Sequence, residues 1–242
     1  MRISRFYIDS SLSVDTEVTL PIELVHYINN VLRLKENTPI VLFNGDGNEY
    51  PADLTVIGKR RAEAIVTSQI GISTESPLYL HLAQGISKGE RMEIALQKAV
   101  EIGVSEITPV ITELCNVKLT ESRWEKKHQS WRKLVISACE QCHRNVIPKI
   151  NKPLPLHTWF GLATDLQKLI LVPGASTYLS GLTKPQNGFK LLVGPEGGFT
   201  KQEVYTAQEL GFKAVNLGPR VLRTETAAAA SLAILQAQHG DM

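Results

Sequence analysis

The chain has 242 residues, 43% of them hydrophobic, which allows one large domain or two smaller ones. It contains no apolar run of the roughly 18 residues that a membrane span needs, and it opens without the apolar segment of a signal peptide. Three cysteines do not suit a disulfide framework, and a net charge of +2 means that a polyanion would need a local basic surface. We therefore expect a cytoplasmic protein with no membrane partner.

The first 70 residues are typical of a small β-barrel with one helix. β-rich runs separated by turn signals predict strands over residues 2–8, 39–43, 50–56 and 62–70. A helix is expected over residues 21–32, and Pro21 suits its first position. The polar stretch 71–77 reads as a linker, which predicts one domain over residues 1–72 and a second over 73–242.

After this linker, strands alternate with helices, the pattern of a parallel sheet covered by helices. Strands are predicted over residues 78–84, 107–111, 169–172, 191–193 and 214–216. Helices are predicted over residues 90–102, 122–142, 201–210 and 224–238. The fold class is therefore α/β, with a small N-terminal β-domain.

Two loops that contain glycine follow short apolar strands in the second domain. One is Gly194-Pro195-Glu196-Gly197-Gly198-Phe199, and the other runs from Leu217 to Ala227. Loops at the carboxyl ends of parallel strands meet at one sheet edge, where ligands bind, and glycine lets a ligand approach the main chain. Neither loop has a phosphate-binding glycine motif, so we expect a ligand other than a nucleotide polyphosphate. A tight turn and an ordinary helix cap are the structural alternatives.

Basic residues are concentrated between Lys118 and Lys152, where nine Lys or Arg residues accompany three Glu residues. Trp124 and Trp131 lie among them, and basic residues mixed with aromatic ones suit a nucleic-acid surface. A solvated helix face with tryptophans anchored in the core explains the same pattern.

Cys139, Cys142 and His143 have the spacing of a haem attachment motif, but they fall in a predicted helix of a chain without an export signal. No second Cys/His pair has the spacing of a zinc site, and a redox role for the cysteine pair has little support. We expect no metal.

The motifs together resemble the 16S ribosomal RNA (uracil-N3) methyltransferase family of the SPOUT superfamily. The segments that carry the resemblance are residues 2–6, 26–33, 88–93, 96–104, 140–144, 194–199 and 217–228. The resemblance implies a C-terminal α/β domain with a trefoil knot and an N-terminal PUA-like β-barrel that binds RNA. It also implies S-adenosylmethionine as the cofactor, a homodimer whose sites are completed by the partner chain, and 16S rRNA or the small ribosomal subunit as the partner.

The resemblance also assigns roles to individual residues. Cofactor binding is expected from Leu171, Pro173, Gly174, Gly194, Pro195, Glu196, Gly197, Gly198, Leu217, Gly218, Leu222, Thr224, Thr226 and Ala227. Arg223 and Arg144 would stabilise negative charge on the uracil oxygens, and Glu225 would be the base. RNA binding is expected from Arg2, Arg5, His26, Arg33, Lys88, Arg91 and Arg132. A ribose 2′-hydroxyl or another base as methyl acceptor, and an RNA-binding factor without catalysis, are the alternative functions.

Overall fold

The structure, a computed structural model, describes residues 3–242, so Arg2 lies outside the described residues. The chain divides into two compact units. The first unit extends to Glu75 and also takes in the distant segment Cys139–Ile147. The second comprises Ser76–Ala138 and Pro148–Met242.

The first unit is built on a six-stranded sheet. Its elements are β1 (Ser4–Tyr7), β2 (Glu17–Thr19), α1 (Ile22–Tyr27), β3 (Pro39–Phe43), β4 (Asn48–Ile57), β5 (Ala62–Val66) and β6 (Ile70–Gly71). The strands follow the order β1-β3-β4-β5-β2, with β6 beside β4, and β1 pairs with β3 in parallel while the other ladders are antiparallel. Alternate residues point into one apolar core, among them Ile40, Leu42, Ala52, Leu54, Ala62 and Ala64.

The predicted helix over residues 21–32 is shorter and less regular than expected. Pro21 is the N-cap and precedes the first helical residue, Ile22. After Tyr27 the backbone widens into a π-helical turn, Ile28–Leu32, which ends where Arg33 takes a left-handed φ of 52°. The amide of Asn29 donates to the carbonyl of Gly58 at 2.9 Å, so a distant loop holds this turn.

The second unit contains an eight-stranded sheet with parallel ladders. Its strands are β7 (Leu80–Gly85), β8 (Glu106–Ile111), β9 (Lys149–Ile150), β10 (Leu154–Pro155), β11 (Gln167–Leu171), β12 (Thr177–Tyr178), β13 (Phe189–Val193) and β14 (Lys213–Asn216). Its helices are α2 (Glu90–Glu101), α3 (Glu121–Cys142), α4 (Leu156–Phe160), α5 (Lys201–Glu209) and α6 (Thr224–His239), and a 3-10 turn spans Leu179–Gly181. From Cys139 onward, α3 belongs to the first unit.

The order of this sheet positions the candidate site. The strands run β10-β8-β7-β13-β11-β14-β12, with β9 beside β8. Because β13, β11 and β14 are neighbours and parallel, the loops after them leave the same edge of the sheet. The expected meeting of the two glycine loops is therefore confirmed, and the loop after β11 joins them.

Candidate active site

A cavity of about 490 Å³ lies at the carboxyl ends of β11, β13 and β14. This volume is within the usual range for small-molecule sites. Most of the predicted cofactor residues line it: Leu171, Pro173, Gly194, Pro195, Glu196, Gly198, Leu217, Gly218, Leu222, Thr224 and Ala227. Arg223 and Glu225, predicted as catalytic residues, also line it, as does Arg91.

The loop that follows β13 needs glycine for steric reasons. A Cβ on Gly85, at the end of β7, would lie 2.4 Å from the nitrogen of Pro195, so the backbone of the loop rests directly on that strand. A Cβ on Gly194 would lie 3.2 Å from the Cα of Gly198 and from the ring of Phe199. Gly198 has a φ of +70°, which side chains rarely adopt. The motif therefore brings bare main chain to the cavity wall.

A buried hydrogen-bond chain joins this loop to the start of α6. The hydroxyl of Thr224 donates to the carbonyl of Gly194 at 2.6 Å. The side-chain amide of Gln84 donates in turn to the Thr224 hydroxyl at 2.9 Å and to the carbonyl of Gly85 at 3.0 Å. Thr224 lines the cavity, and its hydroxyl also connects two of the cavity walls through these hydrogen bonds.

Glu196 anchors the same loop to the segment before α2. Its Oε1 accepts hydrogen bonds from the amide of Lys88 and from the guanidinium of Arg91, each at 3.0 Å. Burial opposes ionisation of Glu196, but the hydrogen bonds from backbone amides and Arg91 prevail and lower the pKa of the carboxyl. Glu196 is therefore a carboxylate at neutral pH, and it holds Arg91 at the cavity wall.

The third wall follows β14 and is shaped by Asn216. Its side-chain oxygen accepts from the amide of Gly218 at 2.7 Å, and its nitrogen donates to the carbonyl of Thr177 at 3.2 Å. Gly218 has a φ of +120°, so glycine is needed for this turn. The apolar side chains of Leu217 and Leu222 complete the wall.

Two charged residues of opposite sign stand at the start of α6. Arg223 is the exposed N-cap residue, and Glu225 lies in the first turn, where the helix dipole favours a carboxylate. The Oε2 atom of Glu225 is buried and has no hydrogen-bond partner among residues 3–242. A buried carboxylate oxygen at a cavity wall needs a donor, and a ligand can supply one.

Three predicted cofactor residues do not line the cavity. Gly174 lies one residue beyond the lining segment of its loop, Gly197 packs against Leu114, and Thr226 is exposed on α6. Seven lining residues had not been named among the predicted site residues: Val172, Val193, Phe199, Val204, Asn216, Arg220 and Val221. All of them except Val204 lie within or directly beside the segments that carry predicted site residues, so their position at strand and loop ends was the available signal.

Two predicted arginines are engaged within the first unit. Arg144 is 5% exposed and donates to Glu75, with its Nε 3.0 Å and its Nη2 2.5 Å from Oε2. Arg5 is 6% exposed, is ion-paired with Glu49 and donates to Asn145 at 2.7 Å. Both differ from the sequence prediction, because a buried guanidinium bound by a carboxylate does not present its charge to RNA or a substrate. Arg144 is absent from the residues that line the cavity.

The other predicted RNA-binding residues that the structure describes are exposed. His26 and Arg33 lie on the first unit, and Lys88, Arg91 and Arg132 lie on the second. Within α3, Trp131 is 2% exposed and contacts Trp124, with 6.5 Å between ring centroids. Trp131 is therefore a core anchor, while the basic residues Arg123, Lys126, Arg132 and Lys133 of the same helix lie on its exposed side.

The described residues, 3–242, include no group of three or more His, Cys, Asp or Glu placed to hold a metal ion. The same part of the chain has no helix with the length and apolar character that crossing a bilayer requires. Cys139 is buried, and burial raises the pKa of its thiol to about 12. It is therefore a protonated core residue at neutral pH.

Two family models match the chain. The RNA methyltransferase domain matches residues 74–236, and the RNA methyltransferase PUA domain matches residues 21–67. A ribosomal RNA small subunit methyltransferase E of Buchnera aphidicola is 38% identical, and the alignment covers 100% of this chain and 98% of that protein.

Solved structures match over the full length as well. A ribosomal RNA small subunit methyltransferase E from Neisseria gonorrhoeae, bound to S-adenosyl methionine, has a TM-score of 0.93 and 42% identity, with 100% of both chains covered. A methyltransferase from Legionella pneumophila with its bound cofactor SAM has a TM-score of 0.95 and 40% identity, also over 100% of both chains.

The fold and the cavity thus belong to the RNA methyltransferases with a PUA-like first domain. Within that class, this chain belongs to the ribosomal RNA small subunit methyltransferase E family. This confirms the resemblance on which the sequence prediction depended.

Proposed function

We propose that this protein methylates N3 of a specific uridine in the 16S rRNA of the small ribosomal subunit, with S-adenosylmethionine as the methyl donor. The observation that carries the proposal is the cavity at the carboxyl ends of β11, β13 and β14, whose glycine loops bring main chain to its walls. Two full-length structural relatives hold this cofactor.

The cavity fits S-adenosylmethionine in two respects. Leu171, Leu217 and Leu222 offer apolar surface to an adenine ring. The backbone at Gly194 and Gly198 can hydrogen-bond to the ligand without side-chain obstruction. When bound, the cofactor supplies an activated methyl group on a positively charged sulfur.

The residues of this chain then have to align the acceptor and manage one proton. Uracil N3 carries a hydrogen that must leave as the methyl group arrives. Glu225, whose buried Oε2 has no hydrogen-bond partner among residues 3–242, is the proposed base for that proton. Arg223 is the proposed donor to the uracil oxygens, where negative charge develops as the proton is lost.

The RNA surface that we propose uses exposed residues only. His26 and Arg33 serve on the first unit, and Lys88, Arg91 and Arg132 serve on the second. We further propose a homodimer in which the partner chain completes the site. Measuring the mass of the protein by sedimentation tests this part independently of activity.

Nucleoside mass spectrometry of 16S rRNA tests the proposal. We expect RNA from a gene-deletion strain to lack 3-methyluridine, and the purified protein with S-adenosylmethionine to restore it on small subunits or on naked rRNA. Loss of a 2′-O-methyl nucleoside or of another methylated base instead would assign a different acceptor. An unchanged nucleoside profile would favour an RNA-binding factor without catalysis.

A further inference from the structure

A second cavity, of about 640 Å³, lies where the parallel strands of the second unit begin, at the opposite end from the candidate active site. Tyr79 and His81 at the start of β7, Glu106 at the start of β8 and Lys190 near the start of β13 line it. Several titratable side chains gathered in one cavity mark a candidate functional site. The proposed methyl transfer uses none of them.

Both carboxylate oxygens of Glu106 accept hydrogen bonds from neighbouring donors. Its Oε2 accepts from the Tyr79 hydroxyl at 2.6 Å, and its Oε1 accepts from Asn151 at 2.6 Å and from Lys149 at 3.1 Å. Burial opposes its ionisation, but these hydrogen bonds prevail and lower its pKa to about 2. Glu106 is therefore ionised at neutral pH, and Lys149 already serves as its counter-ion.

His81 contributes no charge at neutral pH. Burial is the main cause that lowers its pKa to about 4, while Glu106 opposes that shift. Its Nε2 lies 2.8 Å from the hydroxyl oxygen of Thr108, which also accepts from Asn151 at 2.8 Å. Thr108 can then donate its single hydrogen to His81, which makes the ring a neutral acceptor at that nitrogen.

Lys190 has no ion-pair partner among residues 3–242. The residue is 2% exposed, and its Nζ lies 4.1 Å from the centroid of Trp159 and donates to the carbonyl of Leu162 at 3.3 Å. Among residues 3–242, no carboxylate lies within 4.0 Å of this ammonium. An ammonium has three hydrogens to donate, and a buried charge is costly without a partner. Burial first, and then Lys168, lower its pKa to about 8, while the charge of Glu106 opposes that shift, so Lys190 is mostly charged at neutral pH.

We propose that this cavity binds a small, freely diffusing oxyanion, a carboxylate or a phosphate, as the counter-ion of Lys190. The bound oxygen would accept the hydrogens that Leu162 and Trp159 leave free. Lys149, whose side chain is 69% exposed, also lines the cavity, where its charge balances that of Glu106. Asp165 also lines the cavity, but it is exposed and accepts a hydrogen bond from Asn187 at 2.8 Å, so solvent screens its charge. Because Lys190 is so little exposed, a free anion suits it better than a phosphate within a continuous RNA strand.

The test uses the full-length protein with inorganic phosphate and acetate as probes. Calorimetry is performed on the wild type, on Lys190→Met and on Lys184→Met, an exposed lysine outside the cavity. We expect the wild type and Lys184→Met to bind at least one probe equally well, and Lys190→Met to bind it at least tenfold more weakly. Affinity for S-adenosylmethionine should be the same in all three proteins, which separates this cavity from the candidate active site.

A nitrogen-detected NMR titration of the lysine side chains gives a second measurement on the unmutated protein. The Lys190 signal, assigned by its absence in Lys190→Met, should titrate at a pH at least one unit higher when the probe is saturating, because an anion favours the charged form. The proposal is refuted if neither probe moves this titration or if Lys190→Met binds as the wild type does. A response to an RNA oligonucleotide, with both small probes silent, would refute it as well.

Discussion

Replacing Thr224 by valine should weaken both the fold and cofactor binding, because one hydroxyl ties two cavity walls together. Valine has the same shape but leaves the Gly194 carbonyl without its 2.6 Å donor and the Gln84 amide without one of its two acceptors. A buried group that loses its partner costs about 1–3 kcal/mol, and Gln84 keeps Gly85, so we expect a loss of about 2–4 kcal/mol in unfolding free energy. Urea denaturation measures it.

The matched control is Thr226→Val, which makes the same change two residues later on the exposed side of α6. Its unfolding free energy should stay within about 0.5 kcal/mol of the wild type. We expect S-adenosylmethionine to bind roughly tenfold more weakly to Thr224→Val, an effect of about 1.4 kcal/mol, and unchanged to Thr226→Val. If calorimetry and denaturation find the two variants alike, the hydroxyl chain does not hold the loops and the reasoning is wrong.

Four other changes give separate tests. Gly194→Ala should weaken cofactor binding by roughly tenfold or more, since its Cβ would lie 3.2 Å from neighbouring atoms, while Gly181→Ala, with open space around it, should have no effect in the same titration. Arg223→Ala should slow single-turnover methylation by roughly 10²-fold or more with cofactor affinity intact, and an equal loss of affinity would instead make it a cofactor residue. As pH falls from 6.5 to about 4, the unfolded state takes up a proton at His81 before the folded state does, so stability should drop by about 1.4 kcal/mol per pH unit in that window; His81→Gln should flatten this limb of the denaturation profile. Arg33→Ala should reduce the magnitude of the log-affinity against log-salt slope for RNA by roughly 0.7–0.9, and an unchanged slope would remove Arg33 from the RNA surface.

Local sequence signals predicted the elements that have enough residues to show a pattern. β13 is a continuous apolar run apart from Lys190, and α2 shows helical spacing of its buried residues, so both were found within a few residues of their ends. β9, β10 and β12 have two residues each, too few for any periodicity. They exist because neighbouring strands supply hydrogen-bond partners, which only the folded chain reveals.

The candidate site likewise contains features that the sequence predicted and features that only the folded chain reveals. Gly194 and Gly198 were predictable because glycine in a loop itself indicates a close approach of the backbone or an unusual backbone angle. The engagement of Glu196 with Lys88 and Arg91 was not, since more than 100 positions separate the partners. Arg144 was assigned to catalysis because a sequence shows a charge but not the carboxylate, 69 positions away, that neutralises it. Distance along the chain, more than residue chemistry, limited the prediction.

The discontinuity of the first unit constrains how the protein can be made. Its strands have all been translated by Gly71, yet the segment Cys139–Ile147, which supplies Glu140 to the amide of Tyr7 and Asn145 to Arg5, is synthesised some 70 residues later. At a typical elongation rate of about 5–20 residues per second, the segment Cys139–Ile147 is synthesised several seconds after the strands of the amino-terminal sheet. During that interval Arg5 has Glu49 but lacks Asn145, so the nascent sheet is held together by fewer contacts than the finished one. A gene fragment that stops at the end of the sheet would make this temporary condition permanent.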